Sequence, residues 1–486
     1  MSKLALWLLL LPIVLYAQPD TLWTWTTDLD GPGLFTSIEL TADGGYVVGG
    51  YGPQPTRMNY DIWFHKLNVS GVPVWNRLID HGNNESCDVM LPTSDGGYLL
   101  VGSFWDTDQL PIDILAVKTD AAGDTLWCHI YRHLEWYDEW EVNGIVSAPD
   151  GGYAMVGTTV DASGISYDAF LMQIAENGDS LWTRQYGGVG GDYGNDILTV
   201  DDGYAIVGGR SRNVAGDVAG PDCWLVRTNA IGDTLWTRTY RHNNDYWNNG
   251  TRLCRAADGG YVICGVVEEV GYGNSDAWLI RTDENGDTLW TRCYSGPGEQ
   301  SFNDVQLTMD GCYLAVGHDN SSALMVKYDS AGNTVWSKTV DMGGEMSWLM
   351  RVRQTPDSGY IAAGKNDPIG APYATGFVLK TTPDAMLAAE PDHLLHTMPQ
   401  TLELHPAYPN PFNAVTTLSF SLSHSSPVTL TVFNLLGQVV YETNLGQLIA
   451  GEHRHLFNAN DLPSGVYLAR VQAGKESQMQ KIVLLK

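Results

Sequence analysis

Basic residues are scarce in this sequence. The 486 residues include 27 Lys and Arg but 56 Asp and Glu, which gives a formal net charge of -29. Nucleic acids are bound by clusters of Lys and Arg, so the composition argues against a nucleic-acid partner. Helical heptads of leucine are absent. Most regular segments are short and rich in β-branched and aromatic residues, which indicates an all-β protein.

Motifs of common catalytic chemistry are also lacking. The sequence has no G-x-S-x-G, H-E-x-x-H or phosphate-binding loop. Turns such as DENGD resemble calcium loops but lack the downstream bidentate glutamate, so we interpret them as structural turns. We therefore expect neither a metal nor a cofactor, and a catalytic role is not indicated.

Cysteine is used sparingly and unevenly. All seven cysteines precede residue 313, their spacings match no zinc pattern, and an odd number leaves at least one thiol unpaired. Cys254 and Cys264 flank a predicted hairpin turn, where a disulfide is one possibility. The alternative is that all seven act as small buried hydrophobic residues.

The N-terminus has the pattern of a signal peptide. Lys3 supplies a positive charge, residues 4–15 are apolar, and Ala17 is a small residue suited to cleavage. The apolar run is too short to span a bilayer, and no later stretch is apolar enough to do so. Residues 1–17 are therefore predicted to direct export of a protein that does not span a membrane.

A segment of the type DGGYVVGG recurs seven times with a mean period of about 52 residues. Its tyrosines are Tyr46, Tyr98, Tyr153, Tyr204, Tyr261, Tyr313 and Tyr360. A tryptophan recurs with the same period, at Trp23, Trp75, Trp127, Trp182, Trp236, Trp290 and Trp336. Asp-Gly between apolar runs predicts a tight hairpin turn. Each period contains four such runs, so each predicts a four-stranded sheet.

Seven four-stranded sheets in succession predict a seven-bladed β-propeller over residues 18–382. The repeat begins with a Trp strand near Trp23 that has no strands before it, and it ends at a third strand near residue 381. We predict that these two fragments complete one blade. Such closure removes the exposed sheet edges that promote aggregation.

Variable connections should lie on one face of this propeller. The turns between strands 1–2 and 3–4 of each sheet are short and alike, whereas the 2–3 and 4–1 connections are long and differ. Function commonly resides in variable loops on a rigid scaffold. Two 4–1 loops, 131–143 and 240–250, concentrate aromatic and acidic residues. The candidate ligand-binding residues there are Trp136, Tyr137, Glu139, Trp140, Asp245, Tyr246 and Trp247. The alternative is that these rings pack between blades.

Composition changes after the repeats. Residues 383–404 contain Pro383, Pro391 and Pro399 and are predicted to form a linker. Residues 405–486 have no Trp or Cys and show alternating apolar strands, which predicts a small immunoglobulin-like β-sandwich. Their motifs are YPNPFN, FNLLGQVV, LPSGVY and KIVLLK.

These motifs resemble the C-terminal sorting domain of type IX secretion, found in Bacteroidetes-like Gram-negative bacteria. The residues that carry the resemblance are Pro409, Asn410, Pro411, Phe412, Asn413, Gly437, Gly465 and Tyr467. The resemblance implies recognition by outer-membrane secretion machinery and a location outside the cell or on its surface. A plain accessory sandwich is the alternative.

These features together predict a secreted or surface-displayed binding or adhesion scaffold for a protein or glycan ligand. An extracellular hydrolase or lyase acting on polysaccharide is the second hypothesis, because propellers support both roles. Carboxylates that converge at the mouth of the propeller channel would favour the enzyme.

Overall fold

The structure is a computed structural model. It describes residues 15–16, 18–26, 33–53, 59–106, 109–132, 140–160, 167–188, 190–212, 220–242, 247–268, 274–368, 374–384, 386–387, 402–404, 407, 410, 412–422, 426–448, 451–460 and 462–485. The chain divides into two compact units, residues 1–389 and 390–486, with the boundary inside the predicted linker. Every regular element in the described residues is a β-strand. No helix long and apolar enough to cross a membrane is found among them.

Seven antiparallel sheets form the blades of the first unit, and each has strand order 1-2-3-4. They are blade 1 (Leu34–Leu40, Tyr46–Pro53, Tyr60–Leu67, Pro73–Ile79), blade 2 (Asn84–Glu85 with Val89–Pro92, Tyr98–Asp106, Gln109–Thr119, Thr125–Tyr131), blade 3 (Trp140–Ser147, Tyr153–Val160, Tyr167–Ile174, Ser180–Tyr186), blade 4 (Asp192–Val200, Gly203–Arg210, Asp222–Asn229, Thr234–Tyr240), blade 5 (Trp247–Arg255, Tyr261–Glu268, Ser275–Thr282, Thr288–Tyr294), blade 6 (Gln300–Leu307, Tyr313–Asp319, Ser322–Tyr328, Thr334–Val340) and blade 7 (Gly344–Gln354, Tyr360–Pro368, Thr375–Thr381, Thr21–Thr26). The predicted seven-bladed propeller is confirmed.

Ring closure follows the predicted scheme. Thr21–Thr26 pairs with Thr375–Thr381, so the first strand in the repeat region completes the last blade. Trp23 stands opposite Lys380, as Trp290 stands opposite Arg281 in blade 5. The first strand of each blade contacts that of the next, and blade 7 contacts blade 1 in the same way. A separate short ladder joins Leu15–Tyr16 to Met386–Leu387.

The repeated tryptophans pack on the turns of the neighbouring blade. Trp23 of blade 7 lies against Tyr46 of blade 1, with ring centroids 6.0 Å apart. Gly71, in the turn between strands 3 and 4 of blade 1, has φ +78°, and a Cβ there would lie 2.8 Å from the Trp23 ring. Glycine is required because the backbone is left-handed and the ring fills the space. The same contact joins Trp75, Trp127, Trp182, Trp236 and Trp290 to Gly123, Gly178, Gly232, Gly286 and Gly332.

The cation that ends strand 3 binds the aspartate of the Asp-Gly turn. Lys118 Nζ lies 2.7 Å from Asp95 Oδ2, and the lysine side chain is 4% exposed. The equivalent pairs are Lys66–Asp43, Arg227–Asp202, Arg281–Asp258, Lys327–Asp310 and Lys380–Asp357. Hydrogen bonds from Lys66 and Thr41 lower the pKa of Asp43 to about 2. These ion pairs explain why the strand-3 cation and the turn aspartate recur together.

All seven cysteines are free thiols. Cys254 and Cys264 do not form the disulfide considered above, because the register places Cys254 opposite Val262 and Cys264 opposite Arg252. Cys87, Cys223, Cys264 and Cys312 are buried, and the other three are partly buried. The alternative, that they fill space in the core, agrees with their positions.

The second unit contains two sheets that share one core. One comprises Glu403–Leu404, Val415–Leu422 and Gly451–Asn458; the other comprises Val439–Leu448, Ser426–Phe433, Gly465–Ala473 and Glu476–Leu484. Leu418 and Phe420 from the first sheet pack with Val428 and Leu430 from the second. This arrangement is the predicted β-sandwich.

Candidate functional site

The first strand of each blade lines the centre of the propeller and is interrupted at the same place. Six of these strands shift register by one residue there, and in blade 2 the strand is divided. The residues at this point precede the repeat tyrosine by ten positions, or nine in blade 4. They are Thr36, Asp88, Asn143, Asn195, Thr251, Asn303 and Met350. Six of the seven are polar, so the bulges place polar groups around the channel.

Five of these side chains bond to the backbone of the next blade. Asn195 Nδ2 donates to Gly250 O at 2.8 Å, and Asn303 Nδ2 donates to Leu349 O at 2.9 Å. The equivalent donors are Thr36 to Cys87 O, Asn143 to Gly194 O and Thr251 to Phe302 O. Each acceptor is the residue just before the next bulge. The bonds therefore link neighbouring blades around the channel.

A cavity of about 600 Å³ occupies the channel mouth above these bulges. Its walls include Tyr51 and Trp105 near the ends of second strands, and Glu141 and Trp348 near the starts of first strands. Those strand ends lead into the 2–3 and 4–1 connections. The cavity therefore lies on the face where the long variable loops were predicted to matter.

Three partly exposed aromatic rings, Tyr51, Trp105 and Trp348, line the cavity and pack on neighbouring rings. Trp348 stacks on buried His318 with centroids 4.6 Å apart and an interplanar angle of 12°. Lys365 Nζ lies 4.1 Å from the Trp348 centroid. Tyr60, behind the cavity lining, lies 6.3 Å from Trp105 and 6.1 Å from Tyr51. Rings held in this way offer flat apolar faces to a ligand.

Two acids, Asp88 and Glu141, also line the cavity. Asp88 Oδ2 accepts a hydrogen bond from Ser86 Oγ at 2.9 Å. Burial, together with the nearby charge of Glu141, raises the pKa of Asp88 to about 7. The cavity also contains Lys365 and Arg252. Its lining therefore carries both signs of charge.

A cluster of buried and partly buried charged side chains lies beyond the bulges on the same first strands. Arg353 binds Glu39 through Nε and Nη2, with Nη2 2.5 Å from Oε1, and its Nη1 lies 3.4 Å from Asp304 Oδ2. Arg351 Nη1 lies 3.8 Å from Asp304 Oδ1. Asp196 and Arg252 interact with the same groups. These residues come from blades 1, 4, 5, 6 and 7, so their charges meet at the channel centre.

Of the seven loop residues that were predicted from the sequence to bind a ligand, the structure describes two. Trp136, Tyr137, Glu139, Asp245 and Tyr246 lie outside the described residues. Trp140 is partly buried, packs on Phe170 with centroids 4.6 Å apart, and lines a groove with Tyr131 and Arg132. Trp247 is half-buried opposite Glu268. Neither tryptophan lines the channel-mouth cavity.

Sequence reasoning missed the cavity residues. A signal was present, because polar residues recur ten positions before the tyrosine, or nine in blade 4, in strands that are otherwise largely buried. Asp88, Asn143, Asn195 and Asn303 occupy that position. Tyr51, Trp105, Trp348 and Lys365 carry no such repeat signal and come together only through the ring of blades.

In the C-terminal unit, the sorting motifs hold the last strand. Asn410 Nδ2 donates to Lys481 O at 3.1 Å, and Asn410 Oδ1 accepts from Val483 N at 2.8 Å. Buried Phe412 exchanges backbone hydrogen bonds with Val483 and Leu485. Tyr467 donates its hydroxyl to Pro463 O at 2.6 Å. Gly437 has φ +78° in a turn, whereas a Cβ at Gly465 would meet nothing closer than 3.8 Å. Asn413 is exposed, and Pro409 and Pro411 lie outside the described residues.

The fold and the motifs thus define a seven-bladed propeller followed by a sorting module. Residues 406–485 match the family model of the secretion system C-terminal sorting domain. The predicted resemblance is confirmed, and the chain is an exported β-propeller protein. It is secreted or displayed on the cell surface of a bacterium of the Bacteroidetes. A comparison with curated proteins finds no match.

Several solved structures are similar at low identity. Polysaccharide lyase Uly1 is 9% identical, with 74% of this chain and 91% of that chain covered and a TM-score of 0.45. The β-propeller domain of the Trilobed protease from Pyrococcus furiosus is 10% identical, with 76% and 99% covered and a TM-score of 0.41. PorZ, a surface component of the type IX secretion system of Porphyromonas gingivalis, is 9% identical, with 93% and 81% covered and a TM-score of 0.28. At these TM-scores the similarities carry no argument about activity.

Proposed function

We propose that this exported propeller is a binding protein that takes a segment of a glycan at its channel mouth. The observation that carries the proposal is the cavity of about 600 Å³, which is lined by partly exposed Trp105 of blade 2 and Trp348 of blade 7. Concave sites with aromatic faces and a few polar groups are typical of small-ligand sites. Sugar rings present both a flat apolar face and hydroxyl groups, and this lining suits both.

The charges of the wall favour an uncharged ligand. Asp88 and Glu141 are balanced by Lys365 and Arg252 in the same cavity. A strongly anionic or cationic ligand would meet like charges on one side or the other. Hydroxyl groups can donate to the acids and accept from the bases. A neutral glycan segment therefore fits the lining better than an ionic ligand.

The loop residues extend this proposal. Trp136, Tyr137, Glu139, Trp140, Asp245, Tyr246 and Trp247 belong to 4–1 loops or their edges on the cavity's face. We expect them to contact a longer ligand beyond the cavity. Because Trp140 packs on Phe170, we expect this residue to have a structural role as well.

A glycan array probed with the purified full-length chain tests the proposal. Trp105→Ala and Trp348→Ala should each weaken binding about 5–150-fold, the range of 1–3 kcal/mol typical of aromatic contacts. Asn285→Ala, in a repeated turn on the opposite face, is the control and should bind normally. Normal binding by both tryptophan variants, or no binding of any glycan by the wild type, would contradict the proposal.

The second hypothesis, an enzyme that acts on polysaccharide, draws support from Asp88. A carboxyl group whose pKa is near 7 can serve as a general acid or base, and Glu141 lies in the same wall. Incubation with polysaccharides followed by reducing-end and unsaturated-product assays tests this role. Enzyme activity that is abolished by Asp88→Asn while glycan binding persists would establish this role. Inactivity of the wild type on all polysaccharides tested would contradict the enzyme hypothesis and leave glycan binding as the proposed function.

We also propose that residues 405–486 contact the outer-membrane secretion machinery. The clamp of Asn410 and Phe412 on the final strand supports this, since it presents the C-terminal motifs as one folded unit. Crosslinking of an export-arrested chain in its native host would test the contact. The proposal would be contradicted if the secretion machinery were crosslinked to the propeller alone and not to residues 405–486.

A further inference from the structure

A hairpin turn of the sorting domain exposes two leucines. The turn joins strands Ser426–Phe433 and Val439–Leu448, and its two tip residues, Leu435 and Leu436, are 70% and 83% exposed. No other leucine, isoleucine, valine or methionine in the described part of the chain is more than 61% exposed. Neither leucine belongs to the core that the two sheets share. Packing of the sandwich therefore does not account for this pair.

The backbone of the turn does not require leucine either. Asn434 N donates to Gln438 O and Gly437 N donates to Asn434 O, each at 3.0 Å. The turns between strands 3 and 4 of blades 1–6 repeat both bonds, and each has a glycine with φ between +78° and +87° at the place of Gly437. The propeller therefore provides copies of the same turn for comparison.

The turn of blade 1 matches the sorting-domain turn in its side chains as well. Asn68 and Asn434 each accept, through Oδ1, hydrogen bonds from the backbone N–H groups two and four residues later, at 2.9–3.0 Å. Gly71 and Gly437 have the same φ of +78°. A turn of this geometry therefore forms whether or not its tip is apolar, because blade 1 has Val69–Ser70 at the tip.

The tip residues distinguish the sorting-domain turn from those of the propeller. Blade 6 has Ser330–Ala331, blade 2 has two alanines, and blades 3 and 5 have Glu-Asn. Blades 1 and 4 each have one large apolar residue, Val69 and Ile231. Among these turns, the one in the sorting domain alone places two large apolar side chains next to each other. Exposed apolar side chains that the fold does not need indicate an interaction site.

Two further apolar side chains lie at the same end of the sheet. The strand before the turn pairs with Gly465–Ala473, and Phe433 lies near the start of that strand, where the last strand ends at Leu484. Val439, directly after the turn, is 51% exposed, and Leu485, directly after the last strand, is 57% exposed. This end of the sheet therefore presents apolar side chains from both the turn and the C-terminal strand.

We infer that the tip formed by Leu435 and Leu436 inserts into an apolar pocket of an outer-membrane secretion protein. This inference rests on the proposed contact between residues 405–486 and the secretion machinery, and it assigns that contact to one turn. The hydrogen bonds of the turn hold both side chains in place before binding, so little conformational entropy is lost when they are buried. Burial of two leucines supplies the apolar part of the binding free energy.

A protein pocket suits this tip better than a lipid surface. Segments that lie on membranes combine apolar side chains with Lys and Arg, which attract anionic headgroups. Residues 433–440 carry no charge, and residues 401–486 contain five Lys and Arg and five Asp and Glu. Two leucine side chains hold less hydrocarbon than one myristoyl chain, which by itself binds membranes only marginally. The tip is therefore too small and too neutral to anchor the domain in lipid.

Export of a turn variant from the native host tests the inference. Leu435→Ser with Leu436→Ala gives the turn the tip of blade 6, so the purified chain should keep its melting temperature. The extracellular amount should fall about tenfold or more, with folded protein retained in the periplasm, because the anchoring side chains are lost. Leu435→Met with Leu436→Met keeps the apolar volume and should restore export.

Val69→Ser is the matched control. It removes an apolar side chain that is 61% exposed from the equivalent position of the blade 1 turn, and it should leave export unchanged. Normal export of Leu435→Ser with Leu436→Ala, or an equal loss in Val69→Ser, would overturn the assignment.

Photocrosslinking of an export-arrested full-length chain separates this inference from the wider proposal. A photoreactive side chain at position 436 should crosslink to a secretion protein. One at exposed Lys475, in the turn at the opposite end of the sheet, should not. Crosslinks from position 475 but not from 436 would contradict the assignment to this turn and leave the wider contact intact. A lack of crosslinks from every position in 405–486 would contradict the contact itself.

A lipid partner is the remaining outcome. The purified chain should not sediment with vesicles of phosphatidylethanolamine and phosphatidylglycerol. Sedimentation that is lost in Leu435→Ser with Leu436→Ala, without a protein crosslink from position 436, would replace the protein pocket with a membrane surface and overturn the inference.

Discussion

Closure of the ring by its N-terminal strand can be tested at one side chain. Trp23 is partly buried and contacts blade 1 through Tyr46 and Gly71, while Trp25 of the same strand stacks on Phe35. Trp23→Ala removes the indole and leaves the backbone ladder with Thr375–Thr381 able to form. The change therefore weakens the seam between blades 7 and 1.

The expected cost follows from the area that the ring covers. A buried tryptophan hides about 150–250 Å², and partial exposure of Trp23 reduces this to about 120 Å². At about 25 cal/mol per Å² the loss is about 3 kcal/mol, at the low end of the range for truncation of a large aromatic. For a unit of this size, about 3 kcal/mol lowers the melting temperature by about 4 °C.

Two measurements separate closure from ordinary packing. Circular dichroism should show the fall in melting temperature. Hydrogen exchange should show faster exchange of the Thr21–Thr26 amides, since that strand is paired on one side only. Trp236→Ala is the control, because Trp236 makes the same contacts with Tyr261 and Gly286 inside the continuous part of the ring. It should lower stability similarly without selective opening of Thr21–Thr26.

The reasoning would be refuted by an unchanged melting temperature in Trp23→Ala together with unchanged exchange of the closing strand. That result would mean that the strand does not hold the ring. Selective opening of Thr21–Thr26 in Trp236→Ala as well would show that the whole ring loosens as one body.

Three other predictions concern the turns, acid stability and export. Gly71→Ala should cost about 2–3 kcal/mol because it combines backbone strain with a clash, whereas Gly44→Ala, with φ +82° and open space, should cost about 1 kcal/mol; urea unfolding compares them. The pKa of Asp43 is lowered on folding, so its contribution is present above about pH 4 and lost as the pH falls towards 2; Asp43→Asn should flatten that part of the stability–pH curve. Deletion of residues 465–486 removes two strands of the sorting domain and should leave the protein in the periplasm of its host; normal extracellular levels would contradict this.

The blades could be predicted because their signals are local. An Asp-Gly turn requires a left-handed residue within two positions, and Gly44 and Gly96 supply it with φ of +82° and +83°. The alternation of the adjoining strands then sets which side chains are buried. Seven copies of the same signal removed ambiguity that a single copy would leave.

For the candidate site, the sequence predicted the face of the propeller but not the residues of the cavity. Loop length indicated the side of the propeller, and the cavity lies there. Composition pointed to the loops around Trp136 and Tyr246, whereas the described cavity is lined by Trp105, Glu141 and Trp348. Those three residues belong to blades 2, 3 and 7, and no local pattern connects them.

By itself the sequence determined the blade count, the closing strand and the sorting domain, since each depends on contacts between neighbouring strands or on a contiguous motif. Only the tertiary structure decided which polar side chains face one another. Asp61, Asp80 and Glu85 meet because two blades pack side by side, and Glu39 meets Arg353 because the ring closes. Electrostatic energy depends on distances of a few ångströms across the fold, and sequence separation does not encode those distances.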